Sequence, residues 1–311
     1  MNVNILMSTY NGQEFLAEQI CSIQSQTFTD WTLLIRDDGS KDRTRDIIAD
    51  FVQQDSRIHF INPDSTENLG VIKSFHALVQ YQRADVYFFS DQDDVWIPDK
   101  LQVTLEATQA YPAEQPLMVY TDLKVVNQDL QVMNESMVRS QSHHANTELV
   151  QELTENTVTG GTSMINHALA ELWTVTDDIL MHDWYLALLA TAFGKLVYID
   201  QPTELYRQHA ENVLGARTLS KRFRKWIRPH VLFSVYWDLI RNSQKQASHL
   251  LALPLTPVDR NLVEAFVTIM DKPMIERYRI LKKYGLKKNK AFHTLVFTSL
   301  ILTKFAYKET L

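Results

Sequence analysis

An α/β fold built on a mostly parallel sheet is predicted by three features of this sequence. Short apolar runs alternate with amphipathic segments through the first half, and the connections between them are short. The runs also end in clusters of acidic or small polar residues, where such sheets carry their ligand crevice.

Residues 3–8 read as a buried strand. Residues 14–26 follow as a helix with Phe15, Ile20 and Ile23 on its apolar side. Residues 31–36 form a second strand, and 42–53 a helix on which Ile47, Ile48 and Phe51 share a face. Residues 58–62 then read as strand, 71–81 as helix, 86–90 as strand and 99–111 as helix. Cys21, the single cysteine, lies between Ile20 and Ile23 and is expected in the core. One cysteine excludes an intramolecular disulfide and agrees with a reducing compartment.

The chain has 311 residues, enough for one large domain and a smaller appendage. The pattern changes to long helices near residue 213, with breaks at Pro254, Pro257 and Pro273. We therefore expect an α/β domain over 1–212 and a helical region over 213–311. A hydrophobic share of 45% and a charged share of 22% are those of an ordinary globular protein. The net charge of −6 speaks against general nucleic-acid binding. The amino terminus lacks the basic head and apolar run of a signal peptide, and no stretch reaches the ~20 apolar residues that span a bilayer. A cytoplasmic location is the expectation.

Four strand ends should converge: Ser8-Thr9-Tyr10-Asn11, Asp37-Asp38-Gly39-Ser40, Asn62, and Asp91-Gln92-Asp93-Asp94. Of only eight glycines, Gly12, Gly39, Gly70, Gly160 and Gly161 fall beside these and later motifs, as tight turns or close backbone approaches require. Three carboxylates within Asp91–Asp94 repel one another, and burying them is costly without a cation. Oxygen ligands at a strand end suit Mg²⁺ or Mn²⁺; the plainer reading is a solvated, helix-capping turn. Asp37-Asp38 could accept from a nucleobase or ribose, or simply serve a capped turn. Asn68-Leu69-Gly70 with Lys73 opens a helix that could host phosphate, or is ordinary capping.

Further on, Asp183 in Met181-His182-Asp183-Trp184-Tyr185 opens a helix to about Phe193. It is either a cap or a general base, with Trp184 as a sugar-stacking face. In Leu205-Tyr206-Arg207-Gln208-His209, Arg207 could steady a phosphate and His209 complete a metal site, although an isolated histidine is more often structural.

In their order these motifs resemble family 2 glycosyltransferases of the GT-A fold, a Rossmann-like mixed sheet. The likeness covers residues 1–212: Ser8-Thr9-Tyr10-Asn11-Gly12, Asp37-Asp38-Gly39-Ser40, Asn68-x-Gly70, Asp91-x-Asp93-Asp94-x-Trp96-x-Pro98, Gly160-Gly161, His182-Asp183-Trp184 and Tyr206-Arg207-x-His209-x-x-Asn212. The resemblance implies that Asp38, Ser8 and Tyr10, with Thr9, Asn11 and Asp37 beside them, hold the base and ribose. Asn68, Lys73, Gln92 and Arg207 would join the nucleotide-sugar site. Asp91 and Asp93 would form the Asp-x-Asp motif on a divalent metal (Mn²⁺ or Mg²⁺), with His209 as third ligand. Asp183 matches the family's base, although His182 stands where the family has an acid. Gly160, Gly161, His182 and Trp184 would face the acceptor. Such enzymes invert the anomeric centre by single displacement.

Along its length the chain is also similar to rhamnosyltransferases of rhamnose-rich cell-wall polysaccharides in Gram-positive cocci. That implies dTDP-β-L-rhamnose as donor and a lipid-linked glycan as acceptor, although no residue dictates a 6-deoxy sugar. UDP-hexose or UDP-HexNAc donors are the alternative. Arg217, Lys221, Arg222, Arg224, Lys225 and Arg228 interleave with Phe223, Trp226 and Ile227. A second basic run, Lys282 to Lys290, precedes apolar residues 295–305. Both fit a peripheral contact with the inner membrane face, or a solvated helix packed on the catalytic domain. A homo-oligomer stays open. The rivals are a dehalogenase-like phosphatase, disfavoured because its Asp-x-Asp belongs on strand one, and a non-catalytic sugar-nucleotide binder, which would need no base.

Overall fold

The computed structural model describes residues 1–208 and 229–307, with backbone alone at 229–232. The strands are β1 (Val3–Thr9), β2 (Thr32–Asp37), β3 (Ile58–Phe60), β4 (Val86–Ser90), β5 (Val95–Trp96), β6 (Leu117–Val126), β7 (Val132–Asn134), β8 (Ser163–Asn166) and β9 (Lys195–Arg207). They form one sheet ordered β3-β2-β1-β4-β8-β6-β9-β5, with β7 paired to β6. β3, β2, β1 and β4 run parallel, as do β6 and β9; β8 is antiparallel to both β4 and β6.

The helices up to β9 are α1 (Leu16–Gln24), α2 (Thr44–Gln54), α3 (Val71–Tyr81), α4 (Lys100–Thr108), α5 (Met137–Gln141), α6 (Leu149–Glu152), α7 (His167–Ala170) and α8 (His182–Phe193). After them come α9 (Pro229–Ser248), α10 (Pro257–Val267), α11 (Met274–Tyr284) and α12 (Ala291–Thr303). The predicted elements are all present, with every end within three residues of expectation; β1, β2 and α2 run one residue further, and α3 and β4 match at both ends.

Strand β1 shows how the two faces are built. Val3, Ile5 and Met7 point into a core with α1, α2 and α4, whereas Leu6 points into the other core with α3 and α8. Ile5, Leu6 and Met7 are all 0% exposed. Each such side chain contributes roughly 1.5–3 kcal/mol of burial, which a central parallel strand gains on both faces.

Cys21 departs from expectation: its side chain is exposed, not in the core. Helix α1 buries Leu16, Gln19, Ile20, Ser22 and Ile23, and the 100° step between neighbours turns Cys21 outward.

Helices α9 to α12 are not packed apart from the sheet. Trp237, Ile240, Val263, Phe266 and Phe297 belong to the same core as Phe75 of α3 and Leu186 and Leu189 of α8. The Thr154 hydroxyl donates to the Lys287 carbonyl at 2.6 Å, and the Lys288 ammonium donates to the Thr154 carbonyl. Pro257 opens α10 and Pro273 caps α11, as a proline at a helix start allows. The expected boundary near 213 and the basic residues Arg217 to Arg228 lie outside the described residues. Among the described residues no helix is long and apolar enough to cross a membrane.

Candidate active site

The first acidic turn follows β2. The Asp37 carboxylate accepts from the amides of Gly39 (3.1 Å) and Ser40 (2.9 Å), the Ser40 hydroxyl (2.5 Å), the Thr9 hydroxyl (3.2 Å) and Arg45 (3.1 Å). Asp38 accepts from Arg36 (2.5 Å), the amides of Leu69 (2.7 Å) and Gly70 (2.8 Å), and the Ser74 hydroxyl (3.0 Å). Gly70 reaches this position at φ 78°, in a region costly for any residue with a Cβ, and so points its amide at Asp38 just before α3. Asn62 closes the turn, taking the Asp37 amide and giving a bond to the Asp37 carbonyl. The Asn68 amide donates to the Asp38 carbonyl at 2.8 Å. Asn11, at φ 48°, receives the Lys41 amide at 2.9 Å and gives its own to the Ser40 hydroxyl. Tyr10 is 48% exposed above this cradle, with Ser8 half-buried at the end of β1.

The second acidic turn follows β4 and is built differently. Gln92 ties it to the first strand end, accepting the Tyr10 amide (2.9 Å) and donating to the Tyr10 carbonyl (3.0 Å). Asp94 accepts the Arg207 amide at 2.9 Å through Oδ1, while its buried Oδ2 meets no hydrogen-bond donor. The Asp91 carboxylate accepts no hydrogen bond among the described residues. Burial first, then Asp93, Glu204 and Asp183, push the Asp91 carboxyl up to about 8, against the pull of Lys100. Burial and the Glu204, Asp93 and Asp91 charges likewise hold Asp94 well above the usual carboxylate range.

Under this turn lies a pair that sequence reasoning missed. The Lys100 ammonium, wholly buried, donates to the Gly161 carbonyl and to Glu204 Oε2, each at 2.5 Å, and sits 4.3 Å from the centre of the Trp96 ring. A signal was present: Lys100 falls in register with Leu101, Thr104 and Leu105, the buried stripe of α4. Glu204 had none, because its partner is supplied by the fold.

Across the Gly160-Gly161 turn stands Asp183, in the first turn of α8 and 8% exposed. It accepts the Trp184 amide at 2.5 Å and the Gly160 amide. Burial pushes its carboxyl up to about 7, against these two bonds. Asp183 lies near enough to Asp91 for its charge to raise the Asp91 carboxyl. Glu152 of α6, fully buried, lies behind Asp183 and is held well above its ordinary range by burial, with the Asp183 charge adding to the rise.

Several expected site residues are placed otherwise. Trp184 offers no stacking face: it is 6% exposed and its indole N–H donates to the Glu152 carbonyl at 2.7 Å. Helix α8 is apolar on nearly every side, which is the pattern of a buried helix. His182 is 3% exposed, packed 4.5 Å from the Phe75 ring and 5.1 Å from the Phe89 ring, and burial lowers its pKa to about 3. It is a neutral core side chain, not an acceptor ligand. Arg207 is a strut: it bonds the Asp93 and Gln128 carbonyls and the Glu18 carboxylate, and lies against the Phe15 ring. Lys73 pairs at the surface with Asp177 at 2.9 Å. His209 lies outside the described residues.

Among the described residues no three His, Cys, Asp or Glu side chains assemble a complete metal site. The carboxylates present nonetheless fit a divalent ion. Asp91 is left without a donor and Asp94 Oδ2 is orphaned, and Mg²⁺ or Mn²⁺ needs only one or two carboxylates when substrate phosphates complete the shell.

Comparison with known proteins agrees with this geometry. The family model described as glycosyl transferase family 2 matches residues 4–173. The chain is 28% identical to the dTDP-rhamnosyl transferase RfbG of Shigella flexneri over 223 residues, 68% of this chain and 74% of that one. It is 32% identical over 103 residues to WfgD of Escherichia coli, a UDP-Glc:alpha-D-GlcNAc-diphosphoundecaprenol beta-1,3-glucosyltransferase, over 33% of this chain and only 39% of that one. In solved structures the fold is shared with S. aureus TarS in complex with UDP-GlcNAc, at TM-score 0.59 and 12% identity, over 98% of this chain and 83% of that one. It is also shared with a Pyrobaculum calidifontis mannosyltransferase in complex with GDP-Man and Mn²⁺, at TM-score 0.54 and 13% identity, over 98% and 81%. The architecture is GT-A, with a helical C-terminal portion.

Proposed function

This chain belongs to glycosyl transferase family 2, and we propose that it is a metal-dependent, inverting enzyme that moves L-rhamnose from dTDP-β-L-rhamnose onto a lipid-linked glycan. The observation that carries the reading is the placement of Asp183 and Asp91. The Asp183 charge reaches Asp91, and both carboxyls are raised by burial, Asp91 against the pull of Lys100.

Asp183 is the base. It takes the proton of the acceptor hydroxyl, and a carboxyl pushed up to about 7 by burial matches a base working near neutrality. Gly160 and Trp184 amides fix its orientation. The Asp37–Asp38 turn shapes the base and ribose pocket, over which Tyr10 lies. Asp91 and Asp93, aided by Asp94, would hold a Mn²⁺ or Mg²⁺ that, when bound, neutralises charge on the departing diphosphate. The rhamnosyl assignment is supported by the likeness to RfbG, and the UDP-sugar alternative by the shorter likeness to WfgD. Exposed Met274, Ile275, Phe292 and Leu295 beside Lys282 and Lys283 support a peripheral contact of α11 and α12 with the inner membrane face. Loss of sedimentation with anionic vesicles at low salt would remove that part.

Asp183→Asn should lower turnover by roughly 10²–10⁴-fold while protection against thermal unfolding by the donor persists. Turnover within about twofold of wild type would remove Asp183 as base. The base works ionised, so turnover of wild type should climb with pH through about 7. Because its folded pKa lies above the 3.8 of a free aspartate, the stability linked to Asp183 is present below 3.8 and lost as pH rises through 7. Thermal protection by dTDP-rhamnose but not by UDP-glucose or UDP-GlcNAc supports the donor assignment; the reverse selects the alternative.

A further inference from the structure

We propose that Lys100 is a positioning residue for the catalytic base, holding Asp183 in place through the Gly160-Gly161 turn. This rests on the reading of Asp183 as base.

The Lys100 ammonium donates to the Gly161 carbonyl at 2.5 Å, and the Gly160 amide donates to the Asp183 carboxylate. The two bonds leave neighbouring residues of one short turn, so the lysine and the base are tied to each other through it. A Cβ at Gly160 would stand 3.1 Å from His182 Nε2, and one at Gly161 would stand 2.7 Å from Glu204 Oε1. The turn is thus sandwiched between α8 and β9, and only glycine fits at Gly161 without displacing Glu204. Glu204 Oε2 fixes the ammonium at 2.5 Å, and the Trp96 ring lies under it. Lys100 and Glu204 are both 0% exposed, so neither charge is available to solvent or substrate.

The groups that face Asp183 are few. The Asp183 charge raises the carboxyls of Glu152 of α6 and Asp91 after β4, and His182 beside it is neutral. The Gly160 amide and the helix amide of Trp184 supply its hydrogen bonds. Loosening the turn removes one of these two bonds. It thereby favours the protonated form of the base.

Lys100→Met keeps length and removes the donor. We expect kcat to fall roughly 10–100-fold, as small misplacements of a reacting group do, with KM for the donor little changed. The acid limb of the kcat profile should move to higher pH. The single variant leaves Glu204 buried and unpaired, so a second variant guards against simple unfolding. Lys100→Met with Glu204→Met removes both charges, restores folding and leaves the net charge near Asp91 as it was, yet Gly161 still lacks its donor. Its kcat should stay low and its acid limb shifted. If the double variant returns kcat and acid limb to within about twofold and the wild-type pH, Lys100 serves only to neutralise Glu204, and the proposal is overturned. If both variants change donor protection against thermal unfolding but not the acid limb, Lys100 acts on the donor side and the proposal likewise fails. Should Asp183→Asn remain active, it is the reading of the base that falls instead.

Discussion

The two acidic turns of this molecule have nearly the same composition and opposite construction. Asp37 and Asp38 are surrounded by donors: two arginines, four backbone amides and three hydroxyls. Asp91 accepts no hydrogen bond from described residues, and Asp94 keeps one oxygen orphaned. The first turn spends its charge on shape. The second keeps its charges close together with few donors among the described residues, which is costly for buried carboxylates. Sequence position at a strand end is common to both; what differs is whether the surroundings answer the charge.

Substitutions should separate the two. The largest effect on the fold is expected from Asp38→Ala, which strips the Arg36 guanidinium of its buried partner and leaves the amides of Leu69 and Gly70 unpaired. A loss of about 3–5 kcal/mol in urea unfolding is expected. A loss below 1 kcal/mol would place Asp38 with the second turn. Asp91→Asn should do the reverse: turnover falls by about 10²–10³-fold, while unfolding stability in the absence of metal changes by less than about 1 kcal/mol. Divalent ions should raise the melting temperature of wild type and not of this variant, which calorimetry with Mn²⁺ tests. The smallest effect belongs to Arg45→Ala. Arg45 is partly exposed and Asp37 retains four other donors, so a cost of about 1–2 kcal/mol with turnover unchanged is expected.

Much of this was legible in the sequence. Alternation of apolar runs with helical stripes located β1 to β4 and α1 to α4, because a doubly covered parallel sheet imposes that pattern on each segment locally. The strand-end rule picked out both acidic turns, whereas Asp183 was singled out as the opening of a helix. What escaped was set by contacts distant along the chain. Arg36 and Arg45 look like surface residues until α3 and the 62–68 loop close over them. Lys100 meets Glu204 across more than a hundred residues. Arg207 and Trp184 carried the chemistry of ligands but the burial of struts, and only their packing tells the two apart.

The shared core of α8 and the helices that follow β9 bears on how variants of this protein can be made. Helix α8 carries Asp183, the proposed base, on its first turn, and its buried residues share a core with Trp237, Ile240 and Phe266. Trimming the chain after β9, or grafting the tail of a relative onto it, would lay bare a greasy flank of the helix that aims Asp183. Chimeras meant to exchange acceptor preference therefore need to carry α8 and its cover together as one transplanted unit.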